Sequence, residues 1–218
     1  MPISKIIYLL IVIVGFSSFY FSILLINRRY KKFNYYECFD LYYISMLFFL
    51  VFSKITHIII DCDTKNLKYL FSSKYFEVLK FVFSGYSFIG GYIGVIISIF
   101  VISRIYKFKK IDIATLFIPS ILIMYSILKI GCYVNGCCYG KIDIPVQLIE
   151  TFANLISFII VVRIQNKDKL IGAGLISFGG CRFIISLFRV FKTVYTLIFI
   201  EVFCLLLVLS GIRILKKK

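Results

Sequence analysis

Seven apolar runs, each near the length that crosses a bilayer, constrain this chain more than any other feature of its sequence. A membrane-spanning helix needs about 20 mainly apolar residues to cross the hydrocarbon layer. The runs cover residues 6–26, 41–60, 88–105, 113–130, 145–162, 171–188 and 197–215. The first is too long for the apolar part of a signal peptide and lacks a small-residue cleavage site. We therefore predict an all-α integral membrane protein with seven spans and a single domain over residues 1–218.

Composition supports this class and excludes others. Of the 218 residues, 61% are hydrophobic, more than a soluble domain of this size could bury. Soluble enzymes, disordered chains, collagens and disulfide scaffolds are therefore excluded. The net charge of +16 has no nucleic-acid-binding motif beside it. Basic residues in short loops are typical of membrane insertion, so we expect no nucleic-acid partner.

The distribution of basic residues predicts the orientation. The loops after spans one, three and five and the C-terminus carry four, four, three and four Lys and Arg residues. That makes 15 on one side of the membrane and nine on the other. By the positive-inside rule, the N-terminus lies outside and the C-terminus in the cytoplasm. Residues 84–91, 129–145 and 182–189 then lie at the outer surface.

Charged residues within the spans are candidates for function, because burying a charge in lipid is costly. In span two, Lys54, His57 and Asp61 follow one another at helical spacing and share a face. Snorkelling towards the surface is the alternative for His57 and Asp61. For Lys54, which lies deeper, function and snorkelling remain equally open.

Spans five to seven carry three more such residues, and Arg189 directly follows span six. Glu150 lies one turn into span five, and Arg182 lies among Phe and Ile in span six, with Arg189 two turns further on. Arg182 needs a partner, which we expect to be Glu150 or an incoming anion. A guanidinium suits phosphate because it can donate two parallel hydrogen bonds. For Glu201 in span seven, we expect a structural role.

Glycines are concentrated near the predicted outer surface. The stretch 127–141 reads Ile-Leu-Lys-Ile-Gly-Cys-Tyr-Val-Asn-Gly-Cys-Cys-Tyr-Gly-Lys, in which we expect Gly131 to end the helix of span four. Gly90, Gly91 and Gly94 lie at the start of span three. Close helix packing and access for a ligand are equally open explanations for these three.

The chain has seven cysteines, three of which lie in this outer stretch: Cys132, Cys137 and Cys138. Their C-x4-C-C spacing matches no standard zinc signature, so we expect no metal and no cofactor. A disulfide among the three is open, because the outer side is oxidising. A nucleophilic thiolate beside Lys129 is a further alternative. Cys38 and Cys204 are expected to act as small apolar residues.

Several stretches resemble, in order, the motifs of the bacterial prolipoprotein diacylglyceryl transferase family. Lys129-Ile-Gly-Cys-Tyr-Val-Asn-Gly-Cys-Cys-Tyr-Gly140 is similar to its Arg-Ile-Gly-Asn-Phe-x-Asn-Gly-Glu-x-(Tyr/Trp)-Gly signature. Pro145-Val-Gln-Leu-Ile-Glu150 resembles Pro-x-Gln-Leu-Tyr-Glu, and Arg182-Phe-Ile-Ile-Ser-Leu-Phe-Arg189 resembles Arg-x-x-x-Glu-x-x-Arg. Weaker likenesses cover residues 52–59, 75–94 and 112–119. The resemblance extends over roughly residues 40–210, and the sequence is a divergent, cysteine-rich variant of the family pattern.

This variant departs from the family at five motif positions. Ile89 stands where the family signature has His, and Lys129 stands for Arg. Cys132 stands for Asn, Cys137 for Glu, and Ser186 for the second Glu. Asn135, Gly136, Gly140, Gln147, Glu150, Arg182 and Arg189 match the family pattern.

The resemblance implies a transferase of the bacterial plasma membrane. Such an enzyme moves a diacylglyceryl group from phosphatidylglycerol to the lipobox cysteine of a prolipoprotein, and glycerol phosphate leaves. Its partners would be phosphatidylglycerol, other membrane lipids and the signal-peptide region of the prolipoprotein. The expected catalytic residues are Arg182, Lys129, Glu150 and Asn135. The expected lipid-binding residues are Arg189, Lys54, Gly90, Gly91, Gly136, Gly140, Gln147 and Cys137.

Two other functions remain open at this stage. One is a divergent relative that uses its outer cysteines for membrane thiol or disulfide chemistry. The other is a membrane protein that binds lipid or a partner without catalysis.

Overall fold

The computed structural model describes residues 3–60, 86–141, 144–190 and 194–216. Within these ranges the protein forms seven helices, each long and apolar enough to cross a membrane. They are α1 (Ile3–Tyr30), α2 (Tyr35–Ile60), α3 (Phe88–Ile105), α4 (Lys110–Val134), α5 (Val146–Arg163), α6 (Lys167–Ser186) and α7 (Val194–Lys216). The predicted all-helical membrane fold is thus confirmed. The predictions for Asp61 and residues 75–85 lie outside the described residues.

The predicted spans differ from these helices mainly at the ends. Pro145 precedes α5 as its N-cap residue, and Leu187 caps the C-terminus of α6. The prediction that Gly131 ends its helix was wrong, because α4 continues to Val134. Gly131 is buried and lies against α1, where an added Cβ would be 3.3 Å from Tyr8. The turn comes at Gly136, whose φ of +62° reverses the chain just after the helix.

The chain divides into two compact units. The first contains α1, the start of α2 and helices α4 to α7; the second is Tyr43–Lys107. In the first unit α4 is the central helix, since 72% of its most apolar stretch is buried. It packs against α1, α5 and α6, and α6 packs against α7. Large apolar side chains such as Phe21 and Phe152 remain exposed, as lipid-facing residues of a membrane protein would be.

Small residues bring α6 and α7 together. A Cβ added to Gly211 would be 2.7 Å from the carbonyl oxygen of Gly172, and one added to Gly179 would be 2.8 Å from that of Cys204. Without side chains at these positions the two backbones pack directly against each other, as in other membrane helix pairs. This contact fixes the helix that carries Arg182.

The second unit is a helix pair built in a similar way. Gly90 of α3 lies against Phe52 and Thr56 of α2, while Gly91 lies under the ring of Phe49. The Ser53 hydroxyl donates to the Ser87 carbonyl at 2.7 Å and closes the pair at one end. Of the two explanations left open for these glycines, close helix packing is the one observed here.

Polar contacts join the helices of the first unit at the end where α4 begins. The Arg29 guanidinium donates to the Val162 carbonyl at 2.5 Å, and the Tyr30 hydroxyl donates to the Gln165 carbonyl at 3.0 Å. Lys167 forms an ion pair with the buried Asp112. These contacts join α1, α4 and the α5–α6 connection at the end that the basic residues predict to be cytoplasmic.

Candidate functional site

The first unit contains a group of charged side chains that a lipid-facing protein would rarely bury without purpose. Lys129, Glu150 and Arg182 are only 4%, 1% and 6% exposed. They come from the C-terminal part of α4, the second turn of α5 and the C-terminal part of α6. Because neighbouring helices run in opposite directions, these three helix ends meet at one end of the bundle.

Glu150 is the centre of this group. One of its carboxylate oxygens pairs with the Arg182 guanidinium and the other with the Lys129 ammonium. The hydroxyl of Tyr125 donates to Glu150 Oε1 at 3.1 Å. Of the two partners considered for Arg182, the structure shows Glu150. One carboxylate thus serves two cations, which leaves one positive charge uncompensated among the three residues.

An aromatic pair forms one wall of the group. Lys129 Nζ lies 5.1 Å from the centre of the Tyr125 ring, and the Arg182 guanidinium carbon lies 6.0 Å from it. The Phe178 ring packs edge-on against Tyr125 at 5.2 Å. A ring face attracts cations electrostatically, so Tyr125 stabilises both while its hydroxyl holds the carboxylate. Sequence reasoning missed Tyr125, although it lies one helical turn before Lys129.

Hydrogen bonds hold the α5 backbone that carries Glu150. Ser126 Oγ donates to the Thr151 carbonyl at 2.8 Å, and the Asn154 amide donates to the Glu150 carbonyl at 2.7 Å. Gln147 Nε2 donates to the Cys137 carbonyl at 2.7 Å. Gln147 therefore joins α5 to the glycine- and cysteine-rich loop that follows α4.

That loop lies beside the segment that follows α6. Gly140 and Arg189 form an antiparallel β-bridge, and the Val190 amide donates to the Tyr139 carbonyl at 3.1 Å. An added Cβ at Gly140 would collide with the Ile144 carbonyl oxygen. Arg189 is thereby held next to the loop. Asn135 caps the end of α4 and is exposed.

The three outer cysteines converge in this loop. The sulfur atoms of Cys132, Cys137 and Cys138 lie within 4.8 Å of one another, and all three are free thiols. Hydrogen bonds from the Cys132 and Cys137 thiols lower the pKa of the Cys138 thiol, and the nearby positive charges of Lys129 and Arg189 act in the same direction. Their spacing along the chain did not predict that all three sulfurs would meet.

Other predicted site residues belong elsewhere. Lys54, Gly90 and Gly91 are in the second unit, where Lys54 Nζ lies 5.4 Å from the centre of the Tyr86 ring. Ile89 is a buried apolar residue of the same unit. Glu201 accepts a weak hydrogen bond from Ser186 at 3.5 Å, in keeping with the structural role expected for it.

A model of the prolipoprotein diacylglyceryl transferase family matches residues 2–216. The chain belongs to this family. It is 31% identical over 159 residues to the phosphatidylglycerol–prolipoprotein diacylglyceryl transferase of Chlorobaculum tepidum, which covers 61% of this chain and 55% of that protein. The enzyme of the same name from Clostridium tetani is 27% identical over 122 residues, or 55% of this chain and 46% of that one. The chain spans about half the length of these curated relatives. Family membership and the seven helices make it a multi-pass membrane protein.

Proposed function

We propose that this protein transfers a diacylglyceryl group from phosphatidylglycerol to the cysteine thiol of a prolipoprotein, in the plasma membrane of a bacterium. The observation that carries the proposal is the buried carboxylate shared by two cations. Glu150 neutralises only one of Lys129 and Arg182, so the group favours binding of an anion. The phosphate of phosphatidylglycerol is such an anion, and membership of the transferase family supports this choice.

In this proposal Arg182 and Lys129 hold the phosphoglycerol head group. As the bond to the diacylglyceryl carbon breaks, negative charge builds up on the phosphate oxygen, where preorganised cations lower the barrier most. Glu150 keeps both cations in place before the lipid arrives. Arg189, fixed beside the loop by its bridge to Gly140, contributes a further positive charge as the head group enters.

The loop after α4 positions the reactants. Gly136 and Gly140 allow its backbone to turn and to lie close to α5, and Gln147 holds the Cys137 carbonyl. Asn135, at the start of the loop, orients the head group through its amide. Lys54 remains a proposed lipid contact in the second unit, where Gly90 and Gly91 pack α3 against α2. With the N-terminus outside, this end of the first unit faces the outer surface, where lipobox cysteines arrive.

The proposal is tested by a transfer assay on the purified protein in lipid nanodiscs. Labelled phosphatidylglycerol and a lipobox peptide are supplied, and label on the peptide cysteine is measured. We expect transfer by the wild type and loss of at least 100-fold in Arg182→Ala, the size of effect typical for removing one oxyanion-stabilising group. Arg213→Ala, which removes an exposed arginine of α7, is the matched control and should retain activity. A folded wild type that binds phosphatidylglycerol but transfers nothing would refute the proposal.

A further inference from the structure

The proposed reaction needs a thiolate, and the sequence of the first unit contains no histidine that could act as the base. The only histidine of the chain is His57, which belongs to the second unit. The Glu150 carboxylate is occupied by Lys129, Arg182 and Tyr125. A carboxylate held by two cations is a weak proton acceptor.

The three loop thiols supply a different means of activating a thiol. Their sulfur atoms lie within 4.8 Å of one another in the loop that follows α4. In a tetrahedral zinc site with Zn–S bonds of about 2.3 Å, neighbouring sulfurs are about 3.8 Å apart. Side-chain rotations that move the sulfur atoms by about 1 Å would therefore bring the three thiols to zinc-binding distances. A disulfide would join only two of the three sulfurs, whereas a metal ion can bind all three.

Backbone geometry holds these thiols together without a bound ion. Gly136 and Cys138 both have positive φ, +62° and +66°, so the chain turns back on the end of α4. The Cys137 amide then donates to the Cys132 carbonyl at 3.0 Å. For a residue with a side chain, such a φ costs about 1–2 kcal/mol. The fold therefore maintains this turn against a local cost.

Charge favours a thiolate-rich ion at this place. Three thiolates and Zn²⁺ carry one net negative charge, and Lys129 lies one helical turn before Cys132. Arg189 is held beside the loop by the Gly140 bridge. The surplus positive charge around Glu150 thus lies next to the position where the complex would be negative.

We propose that Cys132, Cys137 and Cys138 bind one Zn²⁺ ion whose fourth coordination position takes the acceptor cysteine of the prolipoprotein. Three protein ligands with one open position are typical of catalytic rather than structural zinc. The role of the ion in activating the acceptor thiol rests on the proposed transferase function. Metal binding by the three thiols does not depend on that function. It replaces the expectation of no metal, which considered only spacing along the chain.

The resulting step is balanced without any oxidant or reductant. The acceptor thiol loses its proton to water when its sulfur binds the metal, because a coordinated thiol is deprotonated. The sulfur forms a C–S bond to the terminal glycerol carbon of the diacylglyceryl group as the C–O bond to phosphate breaks. The electron pair of that bond remains on the phosphate oxygen, and glycerol phosphate leaves as an anion beside Lys129 and Arg182.

The first test measures metal binding by the full chain in nanodiscs, reduced and stripped with a chelator. Zn²⁺ affinity is measured by titration, and Co²⁺ serves as a spectroscopic substitute whose visible bands report thiolate ligation and tetrahedral geometry. We expect one ion per chain. Cys132→Ser, Cys137→Ser and Cys138→Ser should each lower affinity by more than the ~10–100-fold typical of losing a group outside the ligand sphere. Cys181→Ser, in α6, is the matched control and should bind as the wild type does.

The second test adds a lipobox peptide to the Co²⁺-loaded protein. We expect the thiolate-to-cobalt absorption to increase with the cysteine peptide and not with its serine counterpart. The metal site is refuted if the reduced protein binds no Co²⁺, if the three serine variants bind it like the wild type, or if the thiols occur as a disulfide in native membranes. The activating role is refuted if the peptide thiol leaves the spectrum unchanged.

Variants of the other group separate this inference from the transferase proposal. Arg182→Ala should bind Co²⁺ and the peptide thiol normally while it loses transfer. If the chelated wild type and the serine variants transfer lipid at full rate, the zinc inference fails and the transferase stands. If metal and peptide bind as expected but phosphatidylglycerol is never consumed, the transferase proposal fails and the metal site stands.

Discussion

The arrangement around Glu150 predicts a large loss of stability for one neutralising substitution and a small loss for another. Glu150→Gln preserves the size of the side chain but leaves Lys129 and Arg182 buried with no carboxylate between them. Removing one partner of a buried ion pair costs roughly 3–5 kcal/mol. Lys129→Met removes the surplus cation instead and leaves the Arg182–Glu150 pair neutral. We expect this second change to cost about 1 kcal/mol or less, because an apolar side chain of similar length replaces a charge that was costly to bury.

Thermal unfolding of the purified variants in one detergent measures this difference. For a chain of this size, 1 kcal/mol corresponds to a change in Tm of about 2–4 °C. Glu150→Gln should therefore lower Tm by about 6–20 °C, and Lys129→Met by only a few degrees. Glu201→Gln, at a half-buried carboxylate of α7, is the matched control and should resemble the wild type. Equal stability of Glu150→Gln and wild type, or equal loss in both site variants, would refute the reasoning about surplus charge.

Three further predictions concern the loop and the helix pair. Gly136→Ala should destabilise the protein by about 1–2 kcal/mol, because Gly136 has a φ of +62° and an added Cβ would lie 2.8 Å from the Tyr139 hydroxyl. An unchanged Tm would contradict this prediction. In metal-free protein, Cys138 should still react with iodoacetamide below neutral pH, because its lowered pKa leaves a larger fraction of the thiol ionised than in a free cysteine. Peptide mass spectrometry measures the extent of this reaction at several pH values. A rate that falls with pH like that of a free cysteine peptide would contradict the prediction. Gly94→Ala should lower Tm because its Cβ would collide with the Phe48 carbonyl, a backbone atom that cannot easily move, whereas Gly180→Ala, which has open space around it, should be neutral.

Within the described residues, the sequence was enough to predict the seven membrane helices. Hydropathy reports directly what a bilayer requires, so runs of about 20 apolar residues locate membrane helices well. The pairing of Arg182 with Glu150 was predictable for a related reason, since a charge at membrane depth needs a counter-charge. The end of α4 was not predictable from the sequence, because either Gly131 or Gly136 could terminate the helix. Packing of Gly131 against α1 extends the helix by one turn.

The rest of the site depends on contacts between distant residues. Nothing in the local sequence indicates that Lys129 shares the carboxylate of Glu150 with Arg182, or that Tyr125 binds all three. These contacts arise only when the ends of α4, α5 and α6 meet. The convergence of three sulfurs likewise depends on the backbone turn at Gly136, which spacing alone does not report.

The most direct test of the account is whether the buried cations select an anionic lipid. The protein is reconstituted in phosphatidylcholine nanodiscs, and binding of labelled phosphatidylglycerol is measured at equilibrium for wild type, Arg182→Ala and Arg213→Ala. The account predicts a preference for phosphatidylglycerol over phosphatidylcholine in the wild type. It predicts the same preference in Arg213→Ala and a loss of at least tenfold in Arg182→Ala, since hydrogen bonds between charged groups contribute roughly 1.5–3 kcal/mol. Equal binding by all three proteins, or no preference in the wild type, would contradict it.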